Sequence, residues 1–289
     1  MKTILVISGK GGTGKTMLAA SFAALAGSVV IADCDVDAAD MHLMLNPVRK
    51  ERHDFFGGKK AFIEKLNCIK CNKCFINCRF EAISRDFVVS SLNCEGCGLC
   101  FQLCPAEAVK MNVNKAGEWF VSDTPYGTLV HAMLGAGEDN SGKLVTIVRK
   151  ETEKIAAESK TPYIIIDGPP GIGCPVMAAI TGVDMAVVVT EPTVSGAHDF
   201  IRLIDTIEKF KVTTGLVINK YDINPEKSGE IEKTAKERNV HILGRIHYSR
   251  SIVDAVVKGI PPSLYCADGG KTEIADIWHK TINIVTEGK

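Results

Sequence analysis

The chain has 289 residues, 46% of them hydrophobic and 24% charged, which fits one large globular domain or two, with a core that needs no disulfide staples. Lys plus Arg and Asp plus Glu both number 34, so the net charge is zero; this excludes a chain-wide electrostatic grip on nucleic acid or anionic membrane. No apolar run approaches the roughly 18 residues of a membrane span, and Ile4-Leu5-Val6-Ile7 is too short for a signal-peptide core and runs into glycines, so a cytoplasmic protein without a membrane span or nucleic-acid partner is expected.

In chain order, residues 3–7 form a short β-branched run that predicts a buried strand, followed by a glycine-rich loop at 9–14 and a helix over 15–26. Residues 28–32 predict a second buried strand that ends at Asp33. Similar strands recur at 163–166, 185–189, 215–218 and 240–243, with helical patterns at 197–210, 226–238 and 249–258. Apolar strands alternating with helices predict an α/β fold, a mostly parallel sheet covered by helices on both faces. The alternation breaks between residues 59 and 115, where eight of the eleven cysteines fall. That block predicts a small α+β domain at 59–115 inserted into a discontinuous domain made of 1–58 and 116–289. Residues 135–143 read as a surface loop. Ile274, Ile277, Trp278 and Ile282 are apolar at helical spacing, and the stretch lacks the basic face of a membrane-surface helix, so it predicts a terminal helix docked on the core.

Gly9-Lys10-Gly11-Gly12-Thr13-Gly14-Lys15-Thr16 matches the phosphate-binding pattern G-x-x-x-x-G-K-[ST] in full, between a strand and a helix. Glycines let backbone N–H groups turn toward a phosphate, and the helix presents its positive end to the anion. Lys15 is expected on the β/γ-phosphates and the Thr16 hydroxyl on Mg²⁺. A rival pattern overlaps it. Gly9, Gly11 and Gly14 also spell G-x-G-x-x-G, and Asp33 lies 19 residues beyond Gly14, the layout of a dinucleotide fingerprint. Two features favour the nucleoside triphosphate: two lysines flank the loop, and Asp167 supplies a second carboxylate at a strand end for Mg²⁺.

The cysteines form two copies of one run: Cys68, Cys71, Cys74 and Cys78, then Cys94, Cys97, Cys100 and Cys104 followed by Pro105. This is the spacing of bacterial two-cluster ferredoxins, in which three thiolates of a tight turn face one [4Fe-4S] cube and the fourth reaches the other. Cluster one therefore takes Cys68, Cys71, Cys74 and Cys104, and cluster two takes Cys78, Cys94, Cys97 and Cys100. Zinc is the competing metal, but a zinc site leaves the third cysteine and the x3-Cys tail unused. In the first copy Arg79 stands where proline follows in the second. Of the remaining cysteines, Cys34 reads as a buried small hydrophobe, and Cys174 and Cys266 each stand alone.

The early lysine of the loop carries a family resemblance. Lys10-Gly-Gly-Thr-Gly-Lys15-Thr16 resembles the deviant Walker A motif of the MinD/ParA, Mrp and nitrogenase iron protein class of P-loop ATPases. The resemblance implies an ATP-dependent homodimer, or a heterodimer with a paralogue, in which Lys10 reaches the partner's nucleotide. Asp33-Cys34-Asp35-Val36-Asp37 resembles the switch I of that class, implying that Asp35, with Asp33 and Asp37 as alternatives, positions the attacking water near Mg²⁺. Asp167-Gly168-Pro169-Pro170-Gly171 resembles its Walker B and switch II segment, and Asn219 sits where the class reads adenine. Cys174 lies at an offset similar to that of the bridging-cluster cysteine of the nitrogenase iron protein, without an evident second ligand. Together with the cysteine block, the resemblance implies an ATPase using ATP, Mg²⁺ and two [4Fe-4S] clusters, with Lys10, Lys15 and Asp35 catalytic. It would transfer electrons to a protein partner, or alternatively carry clusters to an accepting protein or act as a redox-sensing positioning ATPase.

Overall fold

The computed structural model describes residues 1–138 and 140–287. Strand β1 (Lys2–Ser8) leads into α1 (Lys15–Ala26), β2 (Val29–Asp33) and the short α2 (Met41–Leu45). Two 16-residue strands, β3 (Val48–Ile63) and β4 (Val109–Thr124), bracket the short helices α3 (Lys73–Asn77) and α4 (Leu99–Leu103). Then come β5 (Gly127–Leu134), α5 (Ser141–Glu158), β6 (Tyr163–Pro170), α6 (Cys174–Ile180), β7 (Met185–Thr190) and α7 (Val194–Ile207). The chain ends with β8 (Thr213–Asn219), α8 (Pro225–Glu237), β9 (His241–Ile246), α9 (Arg250–Val257), α10 (Pro262–Tyr265) and α11 (Gly269–Glu287).

The nine strands make one sheet in the order β3-β4-β5-β2-β6-β1-β7-β8-β9. The pairs from β5 through β9 are parallel. Ile4, Leu5, Val6 and Ile7 of central β1 have no exposed surface, as a strand covered on both faces requires. Register places Val6 beside Asp167, and Asp167 beside Asp33, so the carboxyl ends of β1, β6 and β2 are level. Ligands of open parallel sheets bind at that edge.

The chain forms two compact units: Met1–Arg52, Trp119–Met133 and Ser141–Lys289 in the first, His53–Glu118 and Leu134–Asn140 in the second. In the first, α1 packs Leu18 and Phe22 into a core that also takes Ile274, Ile277 and Trp278 of α11. The Trp278 ring meets Phe22 at 5.1 Å and Tyr163 at 5.7 Å. The terminal helix is thus docked, with Ile282 packed at its margin. No helix among the described residues is long and apolar enough to cross a membrane.

The core of the second unit is small: Ala61, Ile63, Cys74, Ile83, Phe87 and Val109, with five more cysteines packed against it alongside Phe75, Val89 and Met111. This unit is wider than the 59–115 block of the sequence. Its edges run into β3 and β4, and it takes the segment 134–140 from the expected loop of 135–143; Ser141 already opens α5, and residue 139 lies outside the described residues. Between Ile63 and Val109 the only elements among the described residues are the short helices α3 and α4, but the strands that flank them, β3 and β4, reach into the 59–115 block. β3 begins Val-Arg-Lys-Glu-Arg, five exposed residues in a row. As the edge strand of the sheet it has no buried face there to impose a period of two, and its charges protect an open edge from pairing with another chain.

Candidate functional site

The loop after β1 is shaped for an anion. Gly12 and Gly14 have φ of +79° and +95°, and a Cβ on Gly11 or Gly12 would meet no atom within 4 Å. Gly14 is needed twice: its φ is left-handed, and a Cβ there would stand 2.5 Å from the Asn219 amide nitrogen. Helix α1 begins at Lys15 with no acidic residue in its first turn. A lysine at the positive end of a helix is unfavourable unless an anion joins it.

Three carboxylates surround that lysine. Lys15 Nζ is 2.7 Å from Asp35 Oδ2 and 3.7 Å from Asp167 Oδ1, and both acids are buried. Burial works against the ammonium, but Asp167, Asp35 and Asp33 outweigh it and hold the Lys15 pKa above its ordinary value. Neither Asp167 oxygen has a hydrogen-bond partner, nor has the buried Thr13 hydroxyl. Burial raises the Asp167 pKa against the pull of Lys15. It raises that of Asp33 further, with the Asp167 charge adding to it. A buried, acid-rich, incompletely satisfied site fits a divalent cation. No three His, Cys, Asp or Glu side chains close on one ion among the described residues. Mg²⁺ asks for less, since it keeps several waters and uses one or two carboxylates with substrate phosphates. The buried Asp35 and Asp167 carboxylates beside Lys15, next to a loop open to an anion, fit Mg²⁺ with a nucleotide.

The acids after β2 divide by geometry. Asp33 is fully buried and its carboxylate accepts the N–H groups of Asp35 and Met41, each at 3.1 Å, so it shapes the turn. Asp35 faces Lys15. Asp37 is exposed at the surface, and partial desolvation of its carboxyl, with the nearby Asp35 charge, raises its pKa. Asn219 lies at the end of β8, where its Nδ2 donates to the Thr13 carbonyl at 2.9 Å and ties that strand to the loop.

Lys10 points elsewhere. Its ammonium donates to Ser195 Oγ at 3.2 Å and Thr193 Oγ1 at 3.4 Å, and pairs with Glu191 Oε2 at 3.5 Å. Glu191 also holds Lys220 at 2.6 Å. Glu191, Thr193 and Ser195 have no motif in the sequence; only the fold brings them to the loop.

In the second unit two cavities have cysteines on their walls, and Cys74 lines both. One is lined by Cys68, Cys71, Cys74 and Cys104. The other is lined by Cys78, Cys94, Cys97 and Cys100, with Cys74 at its margin. One hollow has four cysteines on its wall and the other five, and a cube needs one thiolate per iron. Burial raises the Cys74 and Cys100 thiols. At Cys104 burial is outweighed by the N–H groups of Val109, Ala106, Ala108 and Glu107, and the thiol is lowered; Ala108 N lies 3.3 Å from its sulfur. A donor set of thiolates around apolar hollows fits iron–sulfur groups. Cys34 and Cys266 are buried, Cys34 with its thiol pKa raised by burial, while Cys174 is exposed.

Residues 4–262 match the model of the CobQ/CobB/MinD/ParA nucleotide binding domain, and the chain belongs to that family. It is 38% identical over 224 residues, 76% of this chain and 79% of the relative, to a protein of Methanocaldococcus jannaschii named only as uncharacterized. It is 28% identical over 162 residues, 51% of this chain and 54% of the relative, to the iron-sulfur cluster carrier protein of Pyrococcus furiosus. Its fold matches the septum site-determining protein MinD of Pyrococcus horikoshii, solved with Mg-ADP, with a TM-score of 0.62 and 18% identity over 100% of this chain and 98% of that one.

Proposed function

We propose that the protein binds and hydrolyses ATP with Mg²⁺, and that nucleotide-dependent closure of a two-fold dimer gates electron transfer through two [4Fe-4S] groups to a protein partner. The observation that carries the reading is the pair of cavities, one walled by four cysteines and the other by five with Cys74 shared, in a chain that also holds the Lys15–Asp35–Asp167 constellation.

The phosphates take the place that Asp35 and Asp167 hold at Lys15. Loop N–H groups and the end of α1 receive the anion, and Lys15 swings from Asp35 to the β/γ-phosphates. Bound Mg²⁺ would supply neutralisation of phosphate charge. Asp35, released from its ion pair, orients the attacking water, and Asp167 holds the metal's waters. Lys10 leaves Glu191, Thr193 and Ser195 to reach the nucleotide of a second copy. Asn219, braced on Thr13, borders the base.

The likeness to an iron-sulfur cluster carrier favours a second reading, delivery of the group to an accepting protein. The burial of Cys74 within the core of the second unit supports a resident group, because a carried one needs ready release. Anaerobic purification with iron, sulfide and nucleotide analysis tests the proposal. About eight irons per chain and a cubane EPR signal on reduction are expected; stoichiometric zinc without acid-labile sulfide overturns it. Transfer of the iron to an apo-acceptor, faster with ATP, would favour delivery.

A further inference from the structure

The two cysteine runs are copies in backbone and opposites in charge. Cys78 and Cys104 end α3 and α4 with φ, ψ of −77°, 105° and −78°, 105°, their N–H groups bonded to Phe75 and Phe101 carbonyls. Lys70 corresponds to Gly96, with φ of 55° and 65°, and Asn72 to Gly98, with φ of 61° and 75°. Residues 65–79 contain Lys65, Lys70, Lys73 and Arg79 and no acid, whereas the matching 91–105 contain Glu95 and no cation.

In the second copy glycine is obligatory, since a Cβ on Gly96 would lie 2.1 Å from the Lys59 carbonyl oxygen. The first copy places an exposed lysine at the same left-handed position, a strained choice that packing does not demand. Ile69 and Lys73 line the cavity of Cys68, Cys71, Cys74 and Cys104. Leu66 is fully exposed, and Ile69 and Ile76 are 65% and 74% exposed. Lys65, Lys70 and Lys73 make no ion pair among the described residues.

We infer that the exposed segment 65–76, with Ile69 and Lys73 at the hollow of Cys68, Cys71, Cys74 and Cys104 and with Lys65 and Lys70 near them in the chain, is the docking site for an acidic iron–sulfur electron-carrier protein. The inference rests on the proposed electron-transfer reading and adds to it the donor that would load the groups and its port. One electron leaves the reduced carrier, which is oxidised by one electron, and enters the group held by Cys68, Cys71, Cys74 and Cys104; no bond or proton need move. Exposed apolar side chains in a segment that also carries cations match a protein interface, and unpaired cations steer an acidic protein to it. A second copy of this chain would bring like charge to like, and a nucleic-acid backbone would leave the three apolar side chains without a partner.

The test uses full-length, cluster-loaded protein and an acidic two-cluster ferredoxin as probe, with binding followed by calorimetry at about 20 and about 200 mM salt. Binding should weaken with salt. Lys65→Glu/Lys70→Glu should weaken it about 10-fold or more at low salt and flatten the salt dependence. Lys70→Gly, which installs the residue of the second copy and relaxes the backbone, should weaken it to a lesser degree. Iron, sulfide and EPR signals should match the parent in both variants, and reduction by the small methyl viologen cation should not slow. Unchanged affinity in the charge-reversed variant overturns the docking site while leaving the cluster reading intact. Salt-sensitive binding of a DNA duplex or of anionic vesicles in place of the ferredoxin overturns it as well. Absence of iron and sulfide from the parent overturns the reading beneath it.

Discussion

At the scale of single residues, Lys15 and Lys10 differ in what they leave behind when removed. Lys15→Ala strips two buried carboxylates of their counter-charge. Nucleotide binding should be lost in calorimetry, and breaking such a buried pair carries a stability cost of about 3–5 kcal/mol in the nucleotide-free protein. Lys10→Ala removes contacts on the surface of α7; binding should survive while steady-state hydrolysis is lost, because the proposed role lies at a second copy. Hydrolysis at the parental rate in Lys10→Ala would refute that role. Both lysines were legible in the sequence because a phosphate loop needs fixed spacings. The acids after β2 were not separable there: Asp33, Asp35 and Asp37 alternate along one segment, and only backbone direction decides which is buried as a turn acceptor and which faces Lys15. Glu191 was invisible, since nothing local distinguishes it from any other acid after a strand.

At the scale of elements, periodicity revealed the apolar, covered strands β1, β2, β6, β7 and β8, and the edge strand β9 through its short apolar run. It failed for β3, whose first five residues are exposed, and for β5, whose apolar run is interrupted by His131. That histidine is itself buried, 8% exposed, with Nε2 3.1 Å from Ser122 Oγ of β4 and the Phe120 ring at 5.0 Å. Burial, His42 stacked at 6.3 Å and Arg49 lower its pKa to about 4. A histidine depressed in the folded state stabilises above its unfolded pKa of about 6.5 and loses that contribution as pH falls toward the folded value. Denaturant unfolding should therefore show a stability loss of roughly 2 kcal/mol between pH 7 and pH 5. His131→Gln, which keeps a partner for Ser122, should flatten that slope; an equally steep slope in the variant would assign the acid sensitivity to other groups.

At the scale of the molecule, the two cysteine runs were legible because metal chemistry constrains spacing more tightly than folding constrains sequence, but the path joining them to the nucleotide site was not. The chain supplies that path. Asp33 accepts the N–H of Met41, the first residue of α2. Strand β3 then runs unbroken from Val48 to Ile63, five residues before Cys68, and β4 begins five residues after Cys104 and runs on to Thr124. In the proposed reading Lys15 moves from Asp35 to a phosphate, the turn carrying Asp35 and Met41 loses one of its anchors, and the chain from that turn continues through α2 into β3. Mg·ATP, but not Mg·ADP, is therefore expected to shift the reduction potential of the groups in the second unit or to alter their access to a chelator. Linkage makes the effect reciprocal: reducing the groups must change ATP affinity by the same factor. A coupling of about 1–3 kcal/mol corresponds to about a 5–150-fold change in affinity. The contrary case is a second unit that rides passively on its strands. ATP titrations of oxidised and dithionite-reduced protein separate the two, because a passive unit leaves affinity and potential unmoved, whereas a coupled one must move both together.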